Sequence, residues 1–190
     1  MILYTMQPES IWIHLKTHGH FYADLNKSLF LYEDNDPFEA GIFAYRWMIK
    51  QYQQKCCHSM TSPIWAWKTY QGKTNLFKAH QNKYYFNQAM MKINVPDDYV
   101  LLSDFEDWNI VLNRGYVGIS DQDYDRFFAI EDNLSQTEYQ KQVIASWNHI
   151  FNVKDKPYVQ AVIPYLDLNW VKAVQIKREN HRPKIITLQS

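Results

Sequence analysis

Two tryptophans on one predicted strand are the residues best suited to bind a planar ligand. Trp65 and Trp67 lie two positions apart in the alternating segment 63–70, and a strand places such residues on the same face. Two indoles on one face can stack on a base, a nicotinamide or another planar ring. The alternative is that both pack into the core of a sheet, since tryptophan is highly buried on average.

A hydroxyl and a carboxylate stand together at a predicted strand-to-helix junction. Ser103 and Asp104 follow the apolar segment 99–102 and precede a helix with Glu106 and Asp107 in its first turn. In a structural interpretation Asp104 caps this helix, whose dipole favours the two acids. In a binding interpretation Asp104 accepts a hydroxyl of a ribose or another substrate beside Ser103. Both interpretations stay open at this level.

Further hydroxyl and amide groups lie on the first and on a late predicted strand. The sequence predicts a nucleotide-like ligand site in a cleft where these strands meet the tryptophan strand and the Ser-Asp junction. Aromatic rings would hold the base, while hydroxyls and amides would bind the ribose. The predicted ligand-binding residues are Tyr4, Thr5, Gln7, Trp65, Trp67, Ser103, Asp104 and Gln160.

No catalytic or metal-binding motif identifies a reaction, so the catalytic residues stay unknown. His14 and His18 have helical spacing, but Leu15-Lys16-Thr17 between them lacks the glutamate of an HExxH zinc helix. Adjacent Cys56 and Cys57 predict reduced thiols rather than a disulfide framework. The chain also lacks a nucleophile elbow, a glycine-rich phosphate loop and a dinucleotide fingerprint. The sequence therefore predicts no metal site.

Charge is distributed unevenly, although 20 basic and 20 acidic residues cancel. Segment 46–92 has eight lysines and arginines and no acid, whereas segment 97–138 has eleven acids and two arginines. Lysines interleaved with tryptophan and tyrosine are typical of single-strand nucleic-acid binding, where bases stack on rings. A nucleic-acid or protein binding module is therefore the alternative function. The other interpretation is that the two segments pack together and neutralise each other.

The order of predicted elements indicates an α+β fold with a mostly antiparallel sheet and four to five helices around it. One domain is predicted for residues 1–190. Helix starts are predicted at Asp36-Pro37, at Ser103 or Asp104, at Ser120 or Asp121, and at the capping box Ser135–Glu138. Strands are predicted at 2–5, 21–23, 29–32, 63–70, 84–95, 99–102, 158–163 and 170–176.

Two predictions concern local turns. Pro96-Asp97-Asp98 predicts a tight turn that pairs strand 84–95 with strand 99–102 as a hairpin. The polar segment that ends at Asn82 is predicted to be a loop.

The sequence also predicts where in the cell the protein is located. No apolar run approaches the ~20 residues of a membrane span, and no basic segment followed by a long apolar core opens the sequence. We therefore expect a soluble, cytoplasmic protein without a membrane partner.

Three sequence segments resemble a bacterial family catalogued only as a domain of unknown function. They are Tyr4-Thr5-x-Gln7, Pro63-Ile64-Trp65-Ala66-Trp67 and Val95-Pro96-Asp97-Asp98-x-Val100-Leu101-Leu102-Ser103-Asp104-Phe105-x-x-Trp108. The resemblance extends over nearly the whole chain and implies a soluble bacterial single-domain protein. It implies no activity.

The opening of the chain also resembles small ADP-ribosyltransferase-like domains. It has a Leu-Tyr-Thr strand, a helix and then Gly19-x-Phe21-Tyr22. That resemblance implies NAD as a cofactor and ADP-ribosyl transfer or a related reaction. Such domains usually have His or Arg on the first strand and Glu on a late strand. This chain has Tyr4 and Thr5 on the first and Gln160 on the late strand.

Overall fold

An antiparallel sheet of seven strands forms the centre of the protein. The computed structural model describes residues 1–25, 37–79, 88–177 and 184–188. The sheet consists of β1 (Ile2–Pro8), β3 (Ile64–Thr69), β4 (Gln88–Asn94), β5 (Leu101–Asp104), β6 (Val159–Ile163), β8 (Val171–Lys177) and β9 (Lys184–Thr187). A separate ribbon pairs β2 (His20–Phe21) with β7 (Leu166–Asp167).

Five α-helices of eight or more residues and one single-turn α-helix occur in the described residues. They are α1 (Glu9–His18), α2 (Pro37–Cys56), α3 (Leu76–Ala79), α4 (Phe105–Leu112), α5 (Asp121–Phe128) and α6 (Gln136–Ser146). Together with the antiparallel sheet they confirm the predicted α+β class. That residues 1–190 form one domain stays a prediction.

Strand order shows that the predicted hairpin was wrong. The order across the sheet is β5-β6-β3-β1-β4-β8-β9, so three strands separate β4 from β5. Residues Asp97–Tyr99 form a 3₁₀ turn, whereas two-residue hairpin turns need positive φ and favour glycine. The chain instead crosses to the far edge of the sheet, and β4 pairs with β1 over seven residues.

Two hydrophobic cores lie on opposite faces of the sheet. On one face, Leu3, Ile64 and Met91 pack with Trp12 and Leu15 of α1. The other core combines Val162 and Leu101 of the sheet with residues of α2, α4 and α6, namely Met48, Tyr52, Trp108, Val111 and Val143. This second face is called the α2 face below. Helices on both faces leave little of the central strands in contact with water.

Most helix starts follow the predicted capping signals. Asp104 is the N-cap of α4 and its carboxylate accepts a hydrogen bond from the Asp107 N–H at 2.8 Å. Ser120 caps α5, and Ser135 forms a complete capping box with Glu138 at the start of α6. These starts could be predicted because a cap is a local interaction between neighbouring residues.

Of the strands and helices named above, α3, β7 and β9 escaped prediction. The single turn α3 lies in the segment predicted to be a loop. It is ordered because Leu76 is fully buried against Tyr4 and Met90. Strand β9 extends the sheet beyond β8. The predicted strand 29–32 and the beginning of the predicted strand 84–95 lie outside the described residues.

Removing the α6 cap should destabilise the fold measurably. We expect Ser135→Ala to lower the free energy of unfolding by about 1 kcal/mol at neutral pH. Hydrogen bonds from the Ser135 side chain and backbone hold the pKa of Glu138 below its ordinary value of 4.5. Because the pKa is lower in the folded chain, this stabilisation is present at neutral pH and is lost as the pH falls below that value. Urea unfolding at neutral and acid pH measures both effects.

The matched control is Ser10→Ala, at an exposed position of α1. We expect it to change stability by less than about 0.5 kcal/mol. A loss in Ser135→Ala no larger than that of the control would contradict the capping role.

Among the described residues, no helix is both long and apolar enough to span a membrane.

Candidate functional site

Four of the eight predicted site residues lie in one row across the α2 face. The registers pair Ser103 with Gln160, Gln160 with Trp67, and Trp67 with Tyr4. Directly paired residues in an antiparallel sheet have their side chains on the same face. The row continues through Lys92 on β4. Strands far apart in the sequence thus bring two rings, a hydroxyl and an amide to one surface.

An aromatic cavity of about 290 Å³ opens beside this row. Five rings line it, those of Tyr45, Trp65, Trp67, Phe105 and Trp108. The Trp65 and Trp108 ring centroids are 5.0 Å apart, as are those of Trp67 and Phe105. Each indole of β3 therefore packs against one ring of α4. The exposed Asn109 lines the cavity as well and marks where it reaches the surface.

Gln160 gives the aromatic cavity a polar group. It lines the cavity, yet its side chain is only 4% exposed. Its Nε2 has no hydrogen-bond partner among the described protein atoms. Burying an unpaired amide donor costs free energy, on the order of 1–3 kcal/mol. Such a group in a cavity is therefore suited to donate to a ligand.

A β-bulge lies at the same place in β3. Trp67 pairs with Gln160 and Thr69 pairs with Val159, so that Lys68 is the extra residue. Bulges redirect side chains and are frequent beside functional sites. This bulge follows directly after the second cavity tryptophan.

Thr5 and Gln7 lie on the opposite face of β1 from Tyr4, because side chains alternate along a strand. Gln7 Nε2 donates to Thr5 Oγ1 at 2.8 Å, and Thr5 Oγ1 donates to the Trp65 carbonyl oxygen at 2.8 Å. Neither side chain lines the aromatic cavity. They affect the site indirectly, because Thr5 Oγ1 is bonded to the backbone of Trp65.

The Ser-Asp junction contributes structure rather than cavity lining. Asp104 is fully buried; one oxygen caps α4 and the other lies 3.8 Å from Lys156 Nζ. Ser103 is also fully buried, and its Oγ has no partner among the described protein atoms. Neither residue lines the aromatic cavity. The capping interpretation of Asp104 is thus confirmed.

Six cavity residues were missing from the predicted set: Tyr45, Ala66, Phe105, Trp108, Asn109 and Leu112. Phe105 and Trp108 are three positions apart on α4, a spacing that places them on one helix face. That spacing was visible in the sequence, but the partner of the face was not. Burial raises the pKa of Tyr45, with the nearby Trp65 side chain acting in the opposite direction. Tyr45 is therefore a neutral hydroxyl at physiological pH.

Basic residues of segment 46–92 do not line the aromatic cavity in the described part of the chain. Lys55 lies over the Phe151 ring at 4.8 Å. The N-terminal amine, 2.8 Å from the Asp97 carboxylate, lowers the pKa of Asp97, and Lys68 adds to this effect. His58 Nε2 lies 3.2 Å from Asp98. The interactions of Lys68 and His58 join the basic and acidic segments locally, and nucleic-acid binding stays a prediction.

The predicted pair His14 and His18 is stacked on α1 with ring centroids 4.1 Å apart. His18 Nδ1 lies 3.1 Å from the His14 carbonyl oxygen. Within the described ranges, no group of three or more histidine, cysteine, aspartate or glutamate residues is arranged to hold a metal ion.

Comparison with known protein families identifies a match. The model of a family described as "Domain of unknown function (DUF3841)" matches residues 2–172. No curated protein and no solved structure matches the chain. The resemblance to ADP-ribosyltransferase-like domains therefore stays a prediction. The match runs from β1 into β8 and includes every strand and helix that lines the aromatic cavity. Because it covers most of the chain, the chain belongs to the DUF3841 family.

Proposed function

We propose that this protein binds a neutral, planar heterocycle, a nucleobase-like or nicotinamide-like group, in the aromatic cavity. The observation that carries the proposal is the buried, unpaired Nε2 of Gln160 in a cavity lined by five aromatic rings. Rings provide stacking surfaces on which a heterocycle is held. The amide then donates to a carbonyl or ring nitrogen of the ligand and fixes its orientation.

Charge and size narrow the ligand class. No charged side chain is among the described residues that line the aromatic cavity. A charged group would lose its hydration there without gaining an ionic partner, which is costly. The volume of about 290 Å³ is at the lower end of known ligand pockets. A single heterocycle therefore suits it better than a whole dinucleotide.

The proposal concerns binding and not a reaction. ADP-ribosyl transfer would need a group that stabilises the positive charge developing on the ribose. The cavity offers neutral rings and amides, and the late strand has Gln160 where ADP-ribosyltransferase-like domains usually have glutamate. NAD is retained as a test ligand because it carries both kinds of heterocycle.

The segments that carry the family resemblance also support the aromatic cavity as the binding site. Trp65 and Trp67 belong to one of the segments that carry the family resemblance, and Phe105 and Trp108 belong to another. These two segments are distant in sequence and meet at the cavity.

A ligand screen tests the proposal. We expect nicotinamide or a free nucleobase to raise the melting temperature and to quench tryptophan fluorescence, since three of the rings that line the cavity are indoles. NAD, which is larger and charged, should have a smaller effect than the free heterocycle. Short oligonucleotides form the comparison arm. A shift with oligonucleotides alone that falls steeply with salt would instead support the nucleic-acid alternative.

Gln160→Leu is the decisive variant. We expect it to keep or increase stability, because leucine has a similar size and removes a buried unpaired amide. Affinity for the heterocycle should fall about two- to tenfold through loss of one hydrogen bond. Thermal melting and fluorescence titration measure the two effects on the same samples.

Gln175→Leu, on β8 and outside the cavity lining, is the matched control. It should leave heterocycle affinity unchanged. A clear loss of stability in Gln160→Leu would mean that the amide has protein partners, and it would contradict the proposal.

A further inference from the structure

A cavity of about 240 Å³ lies beside α6, where this helix meets α2 and the residue that follows the cap of α4. Val143 and Trp147 of this cavity are almost fully buried and form its floor. Phe43 of α2 and the half-buried Ile144 of α6 add apolar walls. None of the described residues that line this cavity also lines the aromatic cavity. It is called the α6 cavity below.

Arg114 places a positive charge at the rim of the α6 cavity. The side chain is exposed, and its guanidinium carbon lies 5.7 Å from the centre of the Phe43 ring. A ring face attracts a guanidinium and so helps to hold it in position. Within the described ranges, no aspartate or glutamate forms an ion pair with Arg114. The N–H groups of the guanidinium can therefore donate to an anion at the cavity rim.

The backbone of Arg114 adopts a conformation that favours glycine. Its φ is +56°, in the left-handed region. Helix α4 ends here in a Schellman motif: the Gly115 N–H donates to the Ile110 carbonyl oxygen at 2.9 Å, and the Arg114 N–H donates to the Val111 carbonyl oxygen at 3.0 Å. Glycine is the usual residue at the position of Arg114 in this motif, because it has no Cβ to strain. The helix end thus gives no reason for an arginine, and backbone strain of this kind is frequent at binding sites.

The remaining polar groups of the α6 cavity also lie at its rim. Gln136 and Gln140 are exposed and line the cavity from one face of α6, since they are four positions apart. The cavity therefore combines a cationic and amide rim with an apolar floor. A guanidinium pairs with a carboxylate through two parallel hydrogen bonds, and an apolar group gains free energy when it covers the floor. A ligand with both parts matches the cavity better than an inorganic anion or an uncharged apolar molecule.

We propose that the α6 cavity binds a small carboxylic acid with an apolar body, of about the size of phenylacetate. The carboxylate pairs with Arg114 at the rim, and the apolar body lies against Phe43, Val143 and Trp147. The volume is below the ~300–1,000 Å³ of most ligand pockets, so the ligand is small. This inference uses residues outside the aromatic cavity and does not depend on the proposed function.

Matched ligands test the charge and the apolar body separately. Ligand-observed NMR titrations of the full chain compare phenylacetate with phenylacetamide, which lacks the charge, and with acetate, which lacks the ring. We expect phenylacetate to bind about tenfold more tightly than either. Inorganic phosphate at the same concentration should not displace phenylacetate, because it gains nothing from the apolar floor.

Arg114→Gly is the decisive variant. It should keep or raise the melting temperature, because glycine fits the left-handed backbone without strain. The same variant should reduce the affinity for phenylacetate to that for phenylacetamide. Arg114→Lys keeps the charge but loses the planar pair of donors, so it should retain part of the affinity and bind several-fold more weakly than the natural chain.

Gln71→Gly and Lys141→Gln are the matched controls, one for the backbone and one for the charge. Gln71 also has a left-handed φ, of +51°, and does not line the α6 cavity. Lys141 is an exposed cation of α6 that does not line the cavity either. Both variants should keep the affinity for phenylacetate within about twofold, since exposed charges away from a ligand are screened by salt.

Each of four results would overturn the inference. If phenylacetate does not bind, or binds no more tightly than its amide, the cavity does not recognise a carboxylate. If acetate or phosphate binds as tightly as phenylacetate, the apolar floor is not used. If Arg114→Gly keeps the full affinity, Arg114 does not hold the ligand. If Arg114→Gly lowers the melting temperature, the arginine serves the fold instead.

Discussion

Trp147→Ala is expected to lower the free energy of unfolding by about 3–5 kcal/mol, as is common when a buried tryptophan is truncated to alanine. The Trp147 side chain is 1% exposed and lies in the core of the α2 face. Its ring packs edge-on against Trp47 and Phe43, with centroids 5.4 and 5.8 Å away. Its Nε1 donates to the Gly115 carbonyl oxygen at 2.9 Å. The loss is a large part of the ~5–15 kcal/mol that stabilises a typical protein.

Urea unfolding followed by circular dichroism measures the effect, with two comparison variants. Trp147→Phe keeps much of the ring packing but leaves the Gly115 carbonyl oxygen unpaired, so it should cost roughly 1–3 kcal/mol. Ile119→Ala changes a side chain that is 68% exposed and should cost less than about 0.5 kcal/mol. If Trp147→Ala lowered the free energy of unfolding no more than Ile119→Ala, the prediction that the Trp147 ring stabilises the core would be contradicted.

Stability is also expected to fall steeply above about pH 10. Burial raises the pKa of Tyr52, and the hydroxyl donates to the Tyr99 carbonyl oxygen at 3.1 Å. Burial also raises the pKa of Tyr165 to about 12 and that of Tyr4 and Tyr116 by less. A group whose pKa is higher in the folded chain contributes stability below its unfolded pKa. That contribution is lost as the pH rises through the folded pKa.

Each such tyrosine can lower the free energy of unfolding by up to about 1.4 kcal/mol per pH unit within this range. Urea unfolding at several pH values, with phenolate absorbance recorded in parallel, measures the slope. Tyr52→Phe should make the alkaline slope shallower while costing only about 0.5–1.5 kcal/mol at neutral pH. An unchanged slope in that variant would contradict the assignment to Tyr52.

The proposed heterocycle site depends on an arrangement that the fold builds from distant segments. Strand β3 brings the two indoles, α4 brings Phe105 and Trp108, and β6 brings Gln160. Val111 of α4 packs in the core of the α2 face, and Asp104 caps the start of this helix. Core packing and the N-cap thus hold α4 in place, and with it the rings of Phe105 and Trp108.

The same structure separates the predicted site residues into four sets. Trp65, Trp67 and Gln160 line the aromatic cavity, whereas Gln7 lines a neighbouring cavity together with Trp65. Tyr4 is buried among apolar residues, and Thr5 anchors the backbone of β3. Ser103 and Asp104 are buried at the base of α4. Only the first set lines the cavity of the proposed function.

Local interactions are what the sequence determined by itself. The helix starts at Asp104, Ser120 and Ser135 followed from residue types within one turn of each other. The common face of Trp65 and Trp67 followed from strand periodicity. The α+β class followed from the order of such elements. Each of these depends on residues that are neighbours in the chain.

Tertiary structure decided which elements became neighbours. The expected hairpin of β4 and β5 was wrong because β1, β3 and β6 lie between them in the sheet. That order put Gln160 beside Trp67 and placed α4 over both, so an amide from late in the chain became the polar group of an aromatic cavity. The physical reason is that strand order follows from how the whole chain buries its apolar surface on two faces, whereas caps and periodicity act within a few residues.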